Sequence, residues 1–133
     1  MFTVAECAIS WKAELQDTIA LSMTEAKYTA AVEATKEALW LRGLVETLSI
    51  IQDSVRVHCD SQSSIHLAKD YMYHKWTKHI DVRYHKIRQW GVDDKMIDLV
   101  KISTKKNPAD MMTKTIPVEK FRASLNFIKI FQR

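Results

Sequence analysis

Along the chain the spacing of apolar and polar positions changes period several times, and each change marks a new element. Residues 2–11 (FTVAECAISW) and 18–23 (TIALSM) are rich in β-branched and aromatic side chains, and the polar KAELQD between them suits a turn. They read as two antiparallel strands. From Thr24 onward the apolar positions Ala30, Ala34, Ala38, Leu41, Val45 and Leu48 recur at intervals of three and four, which is one face of a long helix. VRVHC at 55–59 is short and β-branched, and the DSQSS that begins at Asp60 supplies helix-capping side chains. A buried strand feeding a helix from Ser61 to about Lys69 follows. A further helix fits Lys78 to Trp90, a strand fits Ile97 to Ser103, and a short helix begins after Asn107. PVEKFRASLNFIKIF then makes an amphipathic helix with Pro117 at its start. No internal repeat or low-complexity stretch interrupts this order.

Strands alternating with helices predict an α/β fold. A length of 133 residues with 47% apolar side chains fits one compact domain, residues 1–133, in which residues 117–133 form a helical extension at the C-terminal end. Two Gly and two Pro leave little room for a flexible linker. The net charge of +4 is compatible with a polyanionic partner without requiring one. Cys7 and Cys59 lie far apart, each in an apolar strand-like run, so their spacing supports neither a disulfide framework nor a zinc site, and a reducing compartment is the simpler inference. The N-terminal MFTVAECAISWK lacks the basic start and apolar run of a signal peptide, and no apolar stretch is long enough to span a bilayer. The expectation is an intracellular protein, cytoplasmic or nuclear, with no membrane partner.

Three acidic residues stand where a strand or loop gives way to a helix: Glu25 in LSMTEAKY, Asp60 in VRVHCDSQSS and Asp110 in KKNPADMMTK. Singly, each has a structural reading. Ser22 and Glu25 have the spacing of a capping box, Asp60 suits a helix cap, and Asp110 sits in a first helical turn where negative charge is favoured. Jointly, the ends of a buried strand, a long helix and a short helix can converge on one edge of an α/β sheet, where crowded carboxylates need a cation between them. Two divalent ions about 4 Å apart in such a cluster activate a water and stabilise the leaving oxygen of a phosphodiester, and magnesium suits oxygen ligands. His58 points to the same side as Asp60 on an ideal strand, and a packed or hydrogen-bonded core histidine is the favoured reading over a proton-transfer role. Lys78, His79, Arg83, Lys86 and Arg88, interleaved with Trp76, Tyr84 and Trp90, make a basic helix that suits phosphate contacts or a solvated face equally. Asp81 and His85 are one turn apart and read as a surface pair, with no third metal ligand evident. Lys105 and Lys106 precede NPAD as substrate-handling or solubilising charges.

The stretches AISWKAELQDTIALSMTEAKYTA, EALWLRGL, HCDSQSSIHLAKD, TKHIDVRYHKIR and NPADMMTK together resemble the ribonuclease H domain that ends copia-type retrotransposon Pol polyproteins, from about Phe2 to about Phe121. The resemblance implies a ribonuclease H-like mixed sheet flanked by helices. It implies cleavage of the RNA strand of RNA/DNA hybrids, with the hybrid's shape and 2′-hydroxyls recognised. It matches Glu25, Asp60 and Asp110 to the second, third and fourth metal-binding acids of that site, with magnesium or manganese as the ion. It also places substrate-handling residues in the loop that holds Lys105 and Lys106.

Where the resemblance implies an upstream central strand bearing the first aspartate, this sequence begins at Met1, after that strand, and Glu6 does not match the missing acid. The expectation is an N-terminally incomplete sheet lacking its usual first, central strand. Two rows of unpaired backbone groups would be costly, at about 1–3 kcal/mol for each buried group. Direct pairing of the flanking strands, a strand donated by a second copy, or another protein would close that slot, and a homo-oligomer through strand contacts is expected. Magnesium or manganese binding by the remaining trio should be weak, and hydrolysis weak or absent. The alternative is a non-catalytic module that binds nucleic acid or protein through the retained scaffold.

Overall fold

The computed structural model describes residues 1–17, 19–69, 89 and 94–129 of the chain. Strands and helices mix in an α/β arrangement. The chain divides into two compact units, Thr18–Lys101, and Met1–Asp17 together with Ile102–Arg133. The basic helix expected at Lys78–Trp90, with Lys78, His79, Arg83 and Lys86, and the pair Asp81 and His85 lie outside the described residues.

The unit spanning Thr18–Lys101 is built on helix α1 (Met23–Thr47), strand β3 (Val55–Cys59), helix α2 (Gln62–Lys69) and strand β4 (Ile97–Lys101). Ser22 caps α1 in extended backbone, its Oγ accepting the Glu25 N–H at 3.1 Å. Glu25 reaches back to accept the Leu21 N–H at 2.7 Å, one residue further out than an ordinary capping box. The helix ends in a Schellman motif: the Ile50 N–H donates to the Val45 carbonyl, and the Ser49 N–H to that of Glu46. Ser49 sits at φ 62°, where glycine is usual.

Helix α1 buries Tyr28, Ala31, Val32, Thr35, Ala38 and Leu41. The expected stripe is therefore rotated: Ala38 and Leu41 belong to it, but Ala30 and Leu48 are exposed. Large side chains decide the face, because Tyr28 and Val32 remove more apolar area from water than an alanine ladder does. Thr35 is accommodated by donating its Oγ1 hydrogen to the Ala31 carbonyl at 2.8 Å.

Strands β3 and β4 pair in parallel, from Val55 opposite Ile97 to Cys59 opposite Lys101. Alternation puts Val57, Cys59, Ile97 and Leu99 on a covered face, against which α1 and α2 pack, and leaves Arg56, His58 and Asp98 exposed. Burying each of Val32, Ile65, Ile97 and Leu99 stabilises the unit by about 1.5–3 kcal/mol. His58 is thus a solvent-side residue, not the core histidine expected, because the polar member of each strand pair faces away from the helices.

In the other unit, strands β1 (Phe2–Val4) and β2 (Cys7–Ser10) form an antiparallel hairpin. This corrects the predicted hairpin: the chain turns at Ala5–Glu6, not at KAELQD, and Ile19–Met23 contains no strand. Ile19 and Leu21 are more than nine-tenths exposed there; alternation alone cannot make a strand without a neighbour to satisfy its backbone. Ala5 and Glu6 sit at φ 49° and 65°, the left-handed pair that a two-residue type I′ turn demands and that Asn-Gly usually supplies. The C-terminal part of this unit runs through a 3₁₀ turn (Thr104–Lys106), helix α3 (Asp110–Thr113) and helix α4 (Val118–Phe127), with Pro117 at the α4 cap. Cys7 and Cys59 are both free thiols, and among the described residues no helix is long and apolar enough to cross a membrane.

Ala5→Asn should relieve part of the left-handed strain and raise stability by on the order of 1 kcal/mol in thermal unfolding. A lowered melting temperature with the hairpin intact would contradict the turn assignment.

Candidate functional site

Within the Thr18–Lys101 unit, the first turn of α1 abuts the end of β3 and the start of α2. Ser61, rather than Asp60, caps α2: its Oγ accepts the Ser64 N–H at 3.2 Å. Ser64, nearly fully buried, donates its hydroxyl hydrogen to the Thr24 carbonyl at 3.1 Å, stitching the two helix starts together. Across that junction Lys27 Nζ stands 3.2 Å from Asp60 Oδ1, with the Asp60 side chain only 10% exposed. The Lys101 ammonium, from the end of β4, donates to the Asp60 backbone carbonyl. Glu25 and Asp60 therefore belong to neighbouring turns at the carboxyl-end edge of the parallel strand pair, where ligand sites of open α/β sheets form.

Asp110 lies in the other unit and is described within it. Asn107 Oδ1 accepts the Ala109 N–H at 3.2 Å, turning the chain so that Asp110 opens α3. Its carboxylate is almost completely buried and each oxygen carries a lysine: Lys114 Nζ is 2.8 Å from Oδ1 and Lys120 Nζ 2.6 Å from Oδ2. Lys120 also donates to the Thr104 carbonyl at 2.9 Å, so one ammonium ties α4 to the 3₁₀ turn and to α3. Burial alone pushes the Asp110 carboxyl up, but hydrogen bonds from Lys114 and Lys120 and their charges outweigh it and hold it below the ordinary aspartate value. Lys105 and Lys106 project from the 3₁₀ turn as exposed side chains. A surface pair, Lys129 with Glu6, joins the end of α4 to the hairpin turn.

The divalent ions expected at these acids can be tested against the donors already in place. Both oxygens of Asp110 and one oxygen of Asp60 are engaged by ammonium groups, and Glu25 is engaged by a backbone amide. One carboxylate facing two lysines leaves a local charge of +1 at Asp110. A divalent ion about 4 Å from an ammonium would meet several kcal/mol of repulsion at an effective dielectric constant of about 20. Among the described residues of either unit, no three His, Cys, Asp or Glu side chains gather into a metal-holding group. As folded here, the residues do not fit a divalent ion.

Sequence reasoning singled out the acids and missed their cations. Lys114, four residues after Asp110, was legible as a helical ion pair. Lys27, Lys101 and Lys120 reach their partners only through tertiary packing.

Because the folded Asp110 carboxyl titrates below its unfolded value, its contribution is fully present above that unfolded value, ordinarily 3.8, and is lost as pH falls through the depressed folded value. Asp110→Asn should cost about 1–3 kcal/mol at neutral pH. In thermal unfolding followed against pH, the gap between the two proteins should close on acidification below about pH 4. A gap that persists unchanged at low pH would contradict the pairing.

The chain is 53% identical over 121 residues to the retrovirus-related Pol polyprotein from transposon TNT 1-94 of Nicotiana tabacum, covering 91% of this chain and 9% of that one. It is 29% identical over 126 residues to the corresponding polyprotein from transposon RE2 of Arabidopsis thaliana, covering 92% and 9%. The polyprotein from transposon RE1 of the same plant is 30% identical over 109 residues, covering 81% and 7%. The chain thus spans less than a tenth of the length of these curated relatives. No family model matches, and no solved structure matches. Over about nine-tenths of its residues, the chain is a homologue of a segment of retrovirus-related transposon Pol polyproteins.

Proposed function

We propose that the chain is a ribonuclease H-like domain of such a polyprotein, related to two-metal endonucleases that cleave the RNA strand of RNA/DNA hybrids, and that in the form described here it is weak or inactive. The observation that carries the reading is the junction of α1, β3 and α2, where Thr24, Lys27, Asp60 and Ser64 meet at the carboxyl-end edge of a parallel pair. That is where a carboxylate site acting on a nucleic acid backbone belongs in an α/β sheet. The lysine contacts support that weakness: Lys27 at Asp60 and the two lysines at Asp110 oppose, by charge, the magnesium or manganese that the reaction needs.

A second reading, a non-catalytic module that binds nucleic acid, is favoured by the same lysines. Carboxylates outnumbered by ammonium groups suit phosphate contact better than metal capture. Self-association through strand edges extends both readings, because β3 pairs with β4 alone among the described residues and keeps one edge without a strand partner.

A cleavage assay on an RNA/DNA hybrid with magnesium or manganese should show little or no turnover by the 133-residue chain. Robust turnover abolished by Asp60→Asn would overturn the inactive assignment. Binding to the hybrid, measured by fluorescence anisotropy at two salt concentrations, should weaken as salt rises; salt-independent affinity would count against phosphate contact. Light scattering should show mass rising with concentration, and a monomer throughout a wide concentration range would remove the strand-edge contact.

A further inference from the structure

We propose that the outward side of the carboxyl-terminal half of α1 is a self-association surface, on which the same side of a second copy packs antiparallel with its crossing at Leu44. The inference rests on α1 alone. It holds whether or not the chain is ribonuclease H-like and whether or not β3 pairs through its open edge.

Helix α1 is apolar on two sides. Its inner side, through Tyr28, Val32, Ala38 and Leu41, is buried. Trp40, Leu44 and Leu48 recur every four residues on the side turned away from that core, and they are 63%, 47% and 67% exposed. Ile50 and Ile51, just past the last turn, are exposed as well. A single leucine in water needs no explanation, whereas a continuous apolar row marks a surface built to be covered.

The make-up of that side selects its occupant. Its first half carries Glu33, Lys36 and Glu37, with Lys36 Nζ 2.7 Å from Glu33 Oε1, and only its second half is apolar. When two copies lie antiparallel about Leu44, Trp40 of each meets Leu48 of the other, and both charged halves stay in water. The commonest packing of two helices interlocks rows of residues four apart, so this row is its own complement about a two-fold axis.

Gly43 supplies the groove beside the row. It lies between Leu39 and Thr47 in the neighbouring four-residue series, and a Cβ added there would meet nothing within 4 Å. Glycine inside a helix is unfavourable relative to alanine, and the described residues of one copy give no steric reason for it. A second helix seated against that backbone does.

Charge and size agree with this occupant. The last turn of α1 holds no basic residue, and the antiparallel crossing brings the second copy's Lys36 toward that end, where the helix dipole favours a cation. Trp40, Leu44, Leu48, Ile50 and Ile51 each offer on the order of 100 Å² of apolar surface, the area that corresponds to burying one large side chain. Two copies together then cover about 1,000 Å², the size at which a specific interface begins.

Sedimentation equilibrium over a wide concentration range, on the full chain, tests the proposal. The native chain should show a monomer–dimer equilibrium. Leu44→Lys, half-exposed in a single copy, should keep the native circular dichroism and weaken the dimer by at least about a hundredfold, the scale of losing one leucine's burial in each of two copies. Gly43→Leu should weaken it as well by filling the groove. In a Cys7→Ser background, Leu44→Cys should form a disulfide-linked dimer on mild oxidation, and Glu33→Cys should not. A monomer at every concentration would overturn the proposal, as would a dimer that Leu44→Lys leaves intact; the latter would still be open to pairing through β3. The cysteine cross-link keeps the test decisive if Leu44→Lys does not fold.

Discussion

A carboxylate taken out of water must find a cation or give up its charge, and that constraint organises both units of this protein. Asp60 and Asp110 are each close to fully shielded; the Asp60 carboxylate is paired with Lys27 from α1, and the Asp110 carboxylate with Lys114 at the end of its own helix and Lys120 from α4. Around Asp60 the answer draws together the start of α1 and the ends of β3 and β4; around Asp110 it draws together the 3₁₀ turn, α3 and α4. Replacing such pairs by apolar residues can be neutral for stability, whereas removing one member leaves a buried charge uncompensated. The pairs are therefore better understood as fixing which turns meet than as a large net source of stability.

Much of the frame was legible in the chain because it depends on local chemistry. Ser22 and Glu25 announce the start of α1, the DSQSS run the start of α2 although its cap is Ser61 and not Asp60, Pro117 the start of α4, and the β-branched run at Val55–Cys59 a strand. Each of these signals acts within a few residues, where side chain and backbone find one another without help from the rest of the fold.

The misreadings share a different cause. Ala5–Glu6 turns the hairpin without any of the residues that usually mark a left-handed turn, and Ser49 ends α1 where glycine is the ordinary sign. TIALSM has a strand's alternation but no strand beside it. The buried face of α1 follows Tyr28 and Val32, whose packing depends on β3 and α2, and not the small residues that made the cleanest periodic series. For the candidate site, the acids were visible because their spacing and flanking caps are local, while Lys27, Lys101 and Lys120 became partners only when strands and helices were in place. Homology to transposon Pol polyproteins narrows the lineage, while chemistry resides in the arrangement of side chains on a scaffold rather than in the scaffold itself.

The most direct measurement is a crystal of this chain soaked in manganese, with anomalous scattering recorded at the metal's absorption edge. The account predicts no anomalous peak beside Asp60 or Asp110, and lysine ammonium density within hydrogen-bonding distance of both carboxylates. A strong peak bridging either carboxylate, with Lys27 or Lys120 turned away, would contradict it.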